Sequence, residues 1–150
     1  MLTPLSIHMI SAIIWVGGMI FANAVLRPAV EHLALSDRIH LWIGVLERFF
    51  SWIWIIVFLQ PATGYWMVFK EMGGFQHAGF HVTLMHAMGW IMITLFVWVY
   101  FFPFRKMKSM AREELFPEAG MYMQKIRFMV RINLVLGTMV STLAAIGPFI

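Results

Sequence analysis

Residues 80–104 read FHVTLMHAMGWIMITLFVWVYFFPF and carry no aspartate, glutamate, lysine or arginine. Coiled as a helix at about 1.5 Å per residue, this run is roughly 37 Å long, enough to cross a hydrocarbon core of about 30 Å. It reads as a membrane span. Working outward, residues 5–26, 49–69 and 128–149 are apolar over comparable lengths. The whole chain agrees: 61% of residues are hydrophobic, mean hydropathy is +0.81, and 12% are charged, against roughly 25% in a soluble domain. Little chain remains between the spans. The expected fold is all-α, an integral membrane four-helix bundle forming one domain over 1–150, with helices at about 5–26, 38–69, 80–104 and 117–149.

The charges set an expected orientation. Arg27, Arg38 and Arg48 fall between the first two spans, and Arg105, Lys106, Lys108, Arg112, Lys125, Arg127 and Arg131 between or just inside the last two. Lys70 alone is basic in the connection between the second and third. The positive-inside rule then makes the basic loops cytoplasmic and puts both termini outside. The net charge of +4 is thereby explained by the membrane, and nucleic acid is not an expected partner. The first run lacks a basic n-region and exceeds a typical signal-peptide core, so it reads as a retained helix. The chain has no cysteine, which excludes disulfides, thiolate metal sites and cysteine nucleophiles.

Local signals refine the helices. Ser36 and Asp37 read as caps opening the second helix below the membrane, and Pro117 as a first-turn residue of the fourth. Pro61 deprives the Val57 carbonyl of its usual donor; a kink is expected there, with Gln60 and Thr63 helping to satisfy freed backbone groups. Gly137, Ser141 and Ala145 form a small-xxx-small series that lets another helix approach, and a homodimer is the expected assembly.

The histidines carry the chemistry. His8 and His86 each precede an arginine, Arg27 and Arg105, by nineteen residues, which places both rings roughly 28 Å above it, at one level in the outer membrane half. His8 shares a helical face with Ser11, Ala12, Trp15 and Met19; His86 shares one with Gly89, Trp90, Ile93, Val97 and Tyr100. His81 lies about 140° around the helix from His86 and so points elsewhere. His77 reads as a loop residue, and His32 and His40 as parts of the cytoplasmic connection.

Two imidazoles level with each other on two helices suit axial ligation of a haem b. Ser11, Ala12, Gly64 and Gly89 would be small neighbours of the porphyrin, and Trp15 and Trp90 could flank it. Such a protein would be a small cytochrome or oxidoreductase exchanging electrons with a quinone, a small oxidant or a partner protein. The alternative is copper handling, which gathers His8, His77, His81 and His86 with Met1, Met9, Met67, Met72 and Met85, since imidazole and thioether suit Cu(I). Its weak point is the inner half of the membrane, where only scattered methionines such as Met19 and Met92 follow; fourteen methionines in so apolar a chain are expected to be mainly lipid-facing. A structural subunit of a larger membrane complex is the third reading. At the inner interface Arg27, Arg48, Arg127 and Arg131 either anchor the chain to the leaflet or bind an anionic group such as a propionate.

Several stretches carry a family resemblance: IHMISAIIWVGGMIF (7–21) followed by LRPA (26–29), ERFFSWIW (47–54), TGYWMVF (63–69), HVTLMHAMG (81–89) and RINLVLGTMVSTLAAIGPF (131–149). Together they resemble short single-domain members of the copper-resistance protein D (CopD) family of the bacterial inner membrane. The order of elements is more distantly similar to HemJ-type protoporphyrinogen oxidases. The first resemblance implies copper uptake or handling; the second implies haem b and oxidation of a porphyrinogen. His8 matches the first-helix histidine of both, and His86 that of a Met-His-x-Lys pattern in the HemJ type. Met88 stands at the lysine position, which counts against porphyrinogen oxidation and leaves Met85 as an alternative haem ligand to His86.

Overall fold

The computed structural model describes residues 2–149, so Met1, one of the copper-reading thioethers, lies outside the described residues. Four long helices carry the chain back and forth: α1 (Leu2–Ala29), α2 (Leu35–Glu71), α3 (Phe80–Arg112) and α4 (Phe116–Ile146), each long and apolar enough to cross a membrane. Among the described residues there is no strand. One end of the bundle carries His8, His81 and His86; the other carries every basic residue except Lys70.

Each helix buries one stripe and leaves apolar side chains outward for lipid. In α1 the stripe is Ser11, Trp15 and Met19, the face expected from the 3.6-residue period. In α3 it is Met88, Met92, Phe96 and Val99, a different line from the one through His86 and Trp90. α1 lies along α2, α3 along α4, and α4 also touches α1 and α2. Aromatic side chains join α2 to α3: Phe50 meets Phe96 edge-on at 5.4 Å and Phe104 at 5.0 Å, and Trp54 meets Tyr100 at 5.2 Å.

Helix ends differ from expectation for local reasons. α2 starts at Leu35 after Ala34, which makes no side-chain cap bond; Ser36 and Asp37 fall inside the first turn, where Asp37 favours the positive helix end. α3 does not stop at residue 104. A π-helical segment at Tyr100–Phe104 contains Pro103, a wide turn that tolerates the missing N–H, and the helix resumes over Arg105–Arg112 with Met107 and Ala111 buried. Similar wide turns occupy Ala22–Leu26, just before Pro28, and Met67–Glu71. α4 begins one residue before Pro117 and ends at Ile146, with a 3₁₀ turn at Gly147–Phe149.

Two packing expectations change. α2 runs through Pro61 as α-helix, and neither expected polar group serves Val57: Thr63 donates to the Leu59 carbonyl, while the Gln60 amide crosses to the His8 carbonyl. Gly137 is buried within the protein's own bundle, where an added Cβ would lie 2.8 Å from Val16 Cγ2 and 3.2 Å from Met92 Cε. Ser141 and Ala145 remain exposed, so only the outer part of the small-residue series is open to a partner helix.

Candidate functional site: a histidine end above a methionine-lined interior

His8 is half-buried on α1 and meets the last turns of α2. Its Nδ1 lies 2.8 Å from Thr63 Oγ1, and Thr63 Oγ1 lies 2.6 Å from the Leu59 carbonyl oxygen. A hydroxyl has one proton to give. Thr63 gives it to Leu59, so it accepts from His8, and the imidazole carries its proton on Nδ1. The Nε2 lone pair is then free for a metal. Gln60 fixes the same turn by donating to the His8 carbonyl at 3.0 Å. Gly64 lies under the ring, where an added Cβ would come 3.4 Å from His8 Cε1.

His86 sits in an aromatic surround. Phe75 of the α2–α3 connection, Tyr65 and Trp90 have ring centroids 5.0, 5.3 and 6.4 Å away. Trp90 Nε1 donates to the Tyr65 hydroxyl at 3.3 Å, and that oxygen is 3.4 Å from His86 Nε2. The indole can only donate, so the Tyr65 oxygen accepts from Trp90 and meets His86 Nε2 over a long contact whose direction depends on the His86 tautomer. Thr63 and Tyr65 are two residues apart on α2, about 200° around its axis. The two histidines therefore reach the same level of α2 on different faces.

His81 goes to a third place. An added Cβ would lie 2.7 Å from its Cε1 at Gly79 and 2.5 Å from its Cδ2 at Gly147, so both glycines make room for the ring at the start of α3. Among the described residues no three histidine, aspartate or glutamate side chains converge as a metal site; His8, His86 and His81 are not brought together. Of the other expected neighbours, Ser11 and Trp15 are buried in the core, and Trp15 meets Phe96 edge-on at 6.4 Å. Trp90 is 46% exposed, Met85 is half-buried, and Gly89 has no side chain pressed against it.

The described methionines range from exposed to buried. Met9, Met72, Met121 and Met139 are exposed, as expected of lipid-facing residues, but Met19, Met88, Met92, Met107 and Met123 are buried. The Cε atoms of Met92 and Met19 come within 3.2 and 3.7 Å of the point a Gly137 Cβ would occupy. The absence of that Cβ leaves room for both terminal methyls in the bundle interior. Nearer the basic end, Asn133 Nδ2 donates to the Met92 carbonyl at 3.3 Å, while its buried Oδ1 has no partner. Asn133, Met129 and Met19 line a small cavity of about 20 Å³. Sequence reading passed over Asn133 and Tyr65; an uncharged amide inside an apolar span is itself a signal, because unsatisfied polar groups there are costly.

A four-helix membrane protein with four of its six imidazoles at one end and thioethers buried in its interior has the donors of a soft-metal protein. The Copper resistance protein D family model matches residues 43–146, most of the chain, and the protein belongs to that family. The matched span includes His81, His86 and the α3 and α4 methionines; α1, with His8 and Met19, precedes it. No curated protein and no solved structure matches.

Proposed function

We propose that this protein takes up Cu(I) at its histidine end and draws it into the thioether-lined interior, the histidine end facing outward and the basic end lying in the cytoplasm of a bacterial inner membrane. The observation that carries the reading is the burial of Met19 and Met92, whose side-chain ends meet beside Gly137, toward the basic end from His8. Thioethers and imidazole are the side chains that suit Cu(I). Asn133 Oδ1, buried without a partner next to Met92, adds an oxygen donor where a bare cation would be expensive. His8 supplies the entry ligand through its free Nε2. Family membership favours copper over haem b.

The test is Cu(I) uptake into liposomes containing the purified chain, with a visible spectrum of the same sample. Wild type accumulates copper; His8→Ala slows entry, and the Met19→Leu, Met92→Leu double variant loses most uptake while staying folded, because leucine and methionine are close in volume. Uptake equal to wild type in both variants would sink the copper path. A Soret band lost in His8→Ala would instead favour haem b on His8, with His86 or Met85 as the other axial candidate.

A further inference from the structure

At the basic end, residues of α1, α2 and α4 line a narrow cleft. Its lining is mainly apolar, with Leu46, Phe49, Ile126 and Val130, and includes Arg27, Arg127 and Trp42. Arg27 Nε, Arg127 Nε and Trp42 Nε1 are all buried and have no hydrogen-bond partner, as is the Nε of the nearby Arg38. Trp42 is only 6% exposed, and the Arg127 guanidinium lies 5.7 Å from its ring centroid. The charges of Arg27, Arg38 and Arg131 all act on Arg127, with Glu31 the opposing carboxylate. Among the described residues no carboxylate is within ion-pair distance of Arg27, Arg38 or Arg127; the ion pair at this end is Lys108 with Glu47.

Buried donors are ordinarily satisfied, and leaving several unsatisfied beside like charges is doubly unfavourable. An anion with several acceptor oxygens relieves both. The guanidinium Nε–H and Nη–H edge forms a fork that fits phosphate oxygens, and the indole N–H adds a donor. Inorganic phosphate would answer the charge and leave the apolar lining unused. A phospholipid fills both, with its phosphate at the arginines and an acyl chain against Phe49 and Ile126. The level also fits, since Arg27 ends the apolar run of α1 where headgroups begin. We propose that this cleft is a binding site for the phosphate headgroup of an anionic phospholipid from the leaflet at the basic end, held by Arg27, Arg127 and Trp42.

The test uses the full chain purified in detergent, with melting temperature and native mass spectra recorded with phosphatidylglycerol, phosphatidylcholine or inorganic phosphate. Phosphatidylglycerol is expected to raise the melting temperature by about 4 °C and to remain bound as a single lipid, whereas phosphatidylcholine and phosphate do neither. Arg27→Gln and Arg127→Gln should lose the shift, and Arg105→Gln with Lys106→Gln, on an exposed face of α3, should keep it. If Arg127→Gln does not fold, Arg127→Lys and Trp42→Phe take its place; each should weaken lipid retention several-fold, the first while keeping its charge. An equal shift from inorganic phosphate would overturn the lipid assignment in favour of a soluble anion. Equal loss in the Arg105, Lys106 variant, or no response to phosphatidylglycerol, would overturn the site.

Discussion

The hydroxyl of Thr63 gives its one proton to the Leu59 carbonyl, so toward His8 it acts only as an acceptor, and that commits the imidazole to the tautomer with Nε2 free. Thr63→Val keeps the shape of the side chain and removes the acceptor. The His8 N–H then loses its partner and the ring its fixed orientation. Groups that orient a metal-bound histidine in this way are worth about 10-fold or more in affinity. Cu(I) affinity, measured by competition with a chromophoric chelator, should fall by about that factor in Thr63→Val and stay near wild type in Thr63→Ser. Equal affinities in all three proteins would mean that Thr63 does not set the ligand. The sequence shows that His8 lies on the buried face of its helix, because Ser11, Trp15 and Met19 repeat at helical spacing. Which nitrogen is open depends on a contact 55 residues away, and no local pattern encodes it.

At the scale of the helices, packing in lipid depends on close approach rather than on the hydrophobic effect, and at Gly137 α4 packs closely against side chains of α1 and α3. A methyl added there meets Val16 Cγ2 at 2.8 Å and Met92 Cε at 3.2 Å. The methionine end can swing away, but Val16 is β-branched and stiff. Gly137→Ala should therefore destabilise the bundle by roughly 1–3 kcal/mol, read as a lower melting temperature in detergent. Gly17→Ala is the control: nothing lies within 4 Å of its added Cβ, and the change should be neutral or stabilising by up to about 1 kcal/mol through helix propensity. Equal losses in both would assign the effect to helix backbone rather than to packing. The spans are plain in the sequence because each is a long uncharged run. The α3 extension past Pro103 is not, since RKMKSMAR (105–112) looks like a solvated loop; only its burial of Met107 and Ala111 makes it helix. The methionines are ambiguous for a related reason: thioethers serve equally well against lipid or in a core, so composition cannot say which of the fourteen turn inward.

Across the whole molecule, charge asymmetry gives the proposed copper path its direction. All basic residues but Lys70 lie at one end of the bundle, on the helix ends that flank the short α1–α2 and α3–α4 connections, close enough to the spans for their lysines and arginines to set orientation during insertion. With that end in the cytoplasm, a path entered at His8 is an uptake path; with the opposite orientation, the same donors would collect copper from inside. The chain contains no cysteine, so one introduced thiol reports one position. Gln76, exposed in the α2–α3 connection, and Glu113, exposed between α3 and α4, mark the two ends. In intact spheroplasts a membrane-impermeant maleimide should label Gln76→Cys and leave Glu113→Cys unmodified until the membrane is opened. The reverse pattern would turn the proposed uptake into export and move the arginine cleft to the outer leaflet. Labelling of both before lysis would mean mixed insertion, and the copper path would then have no fixed direction.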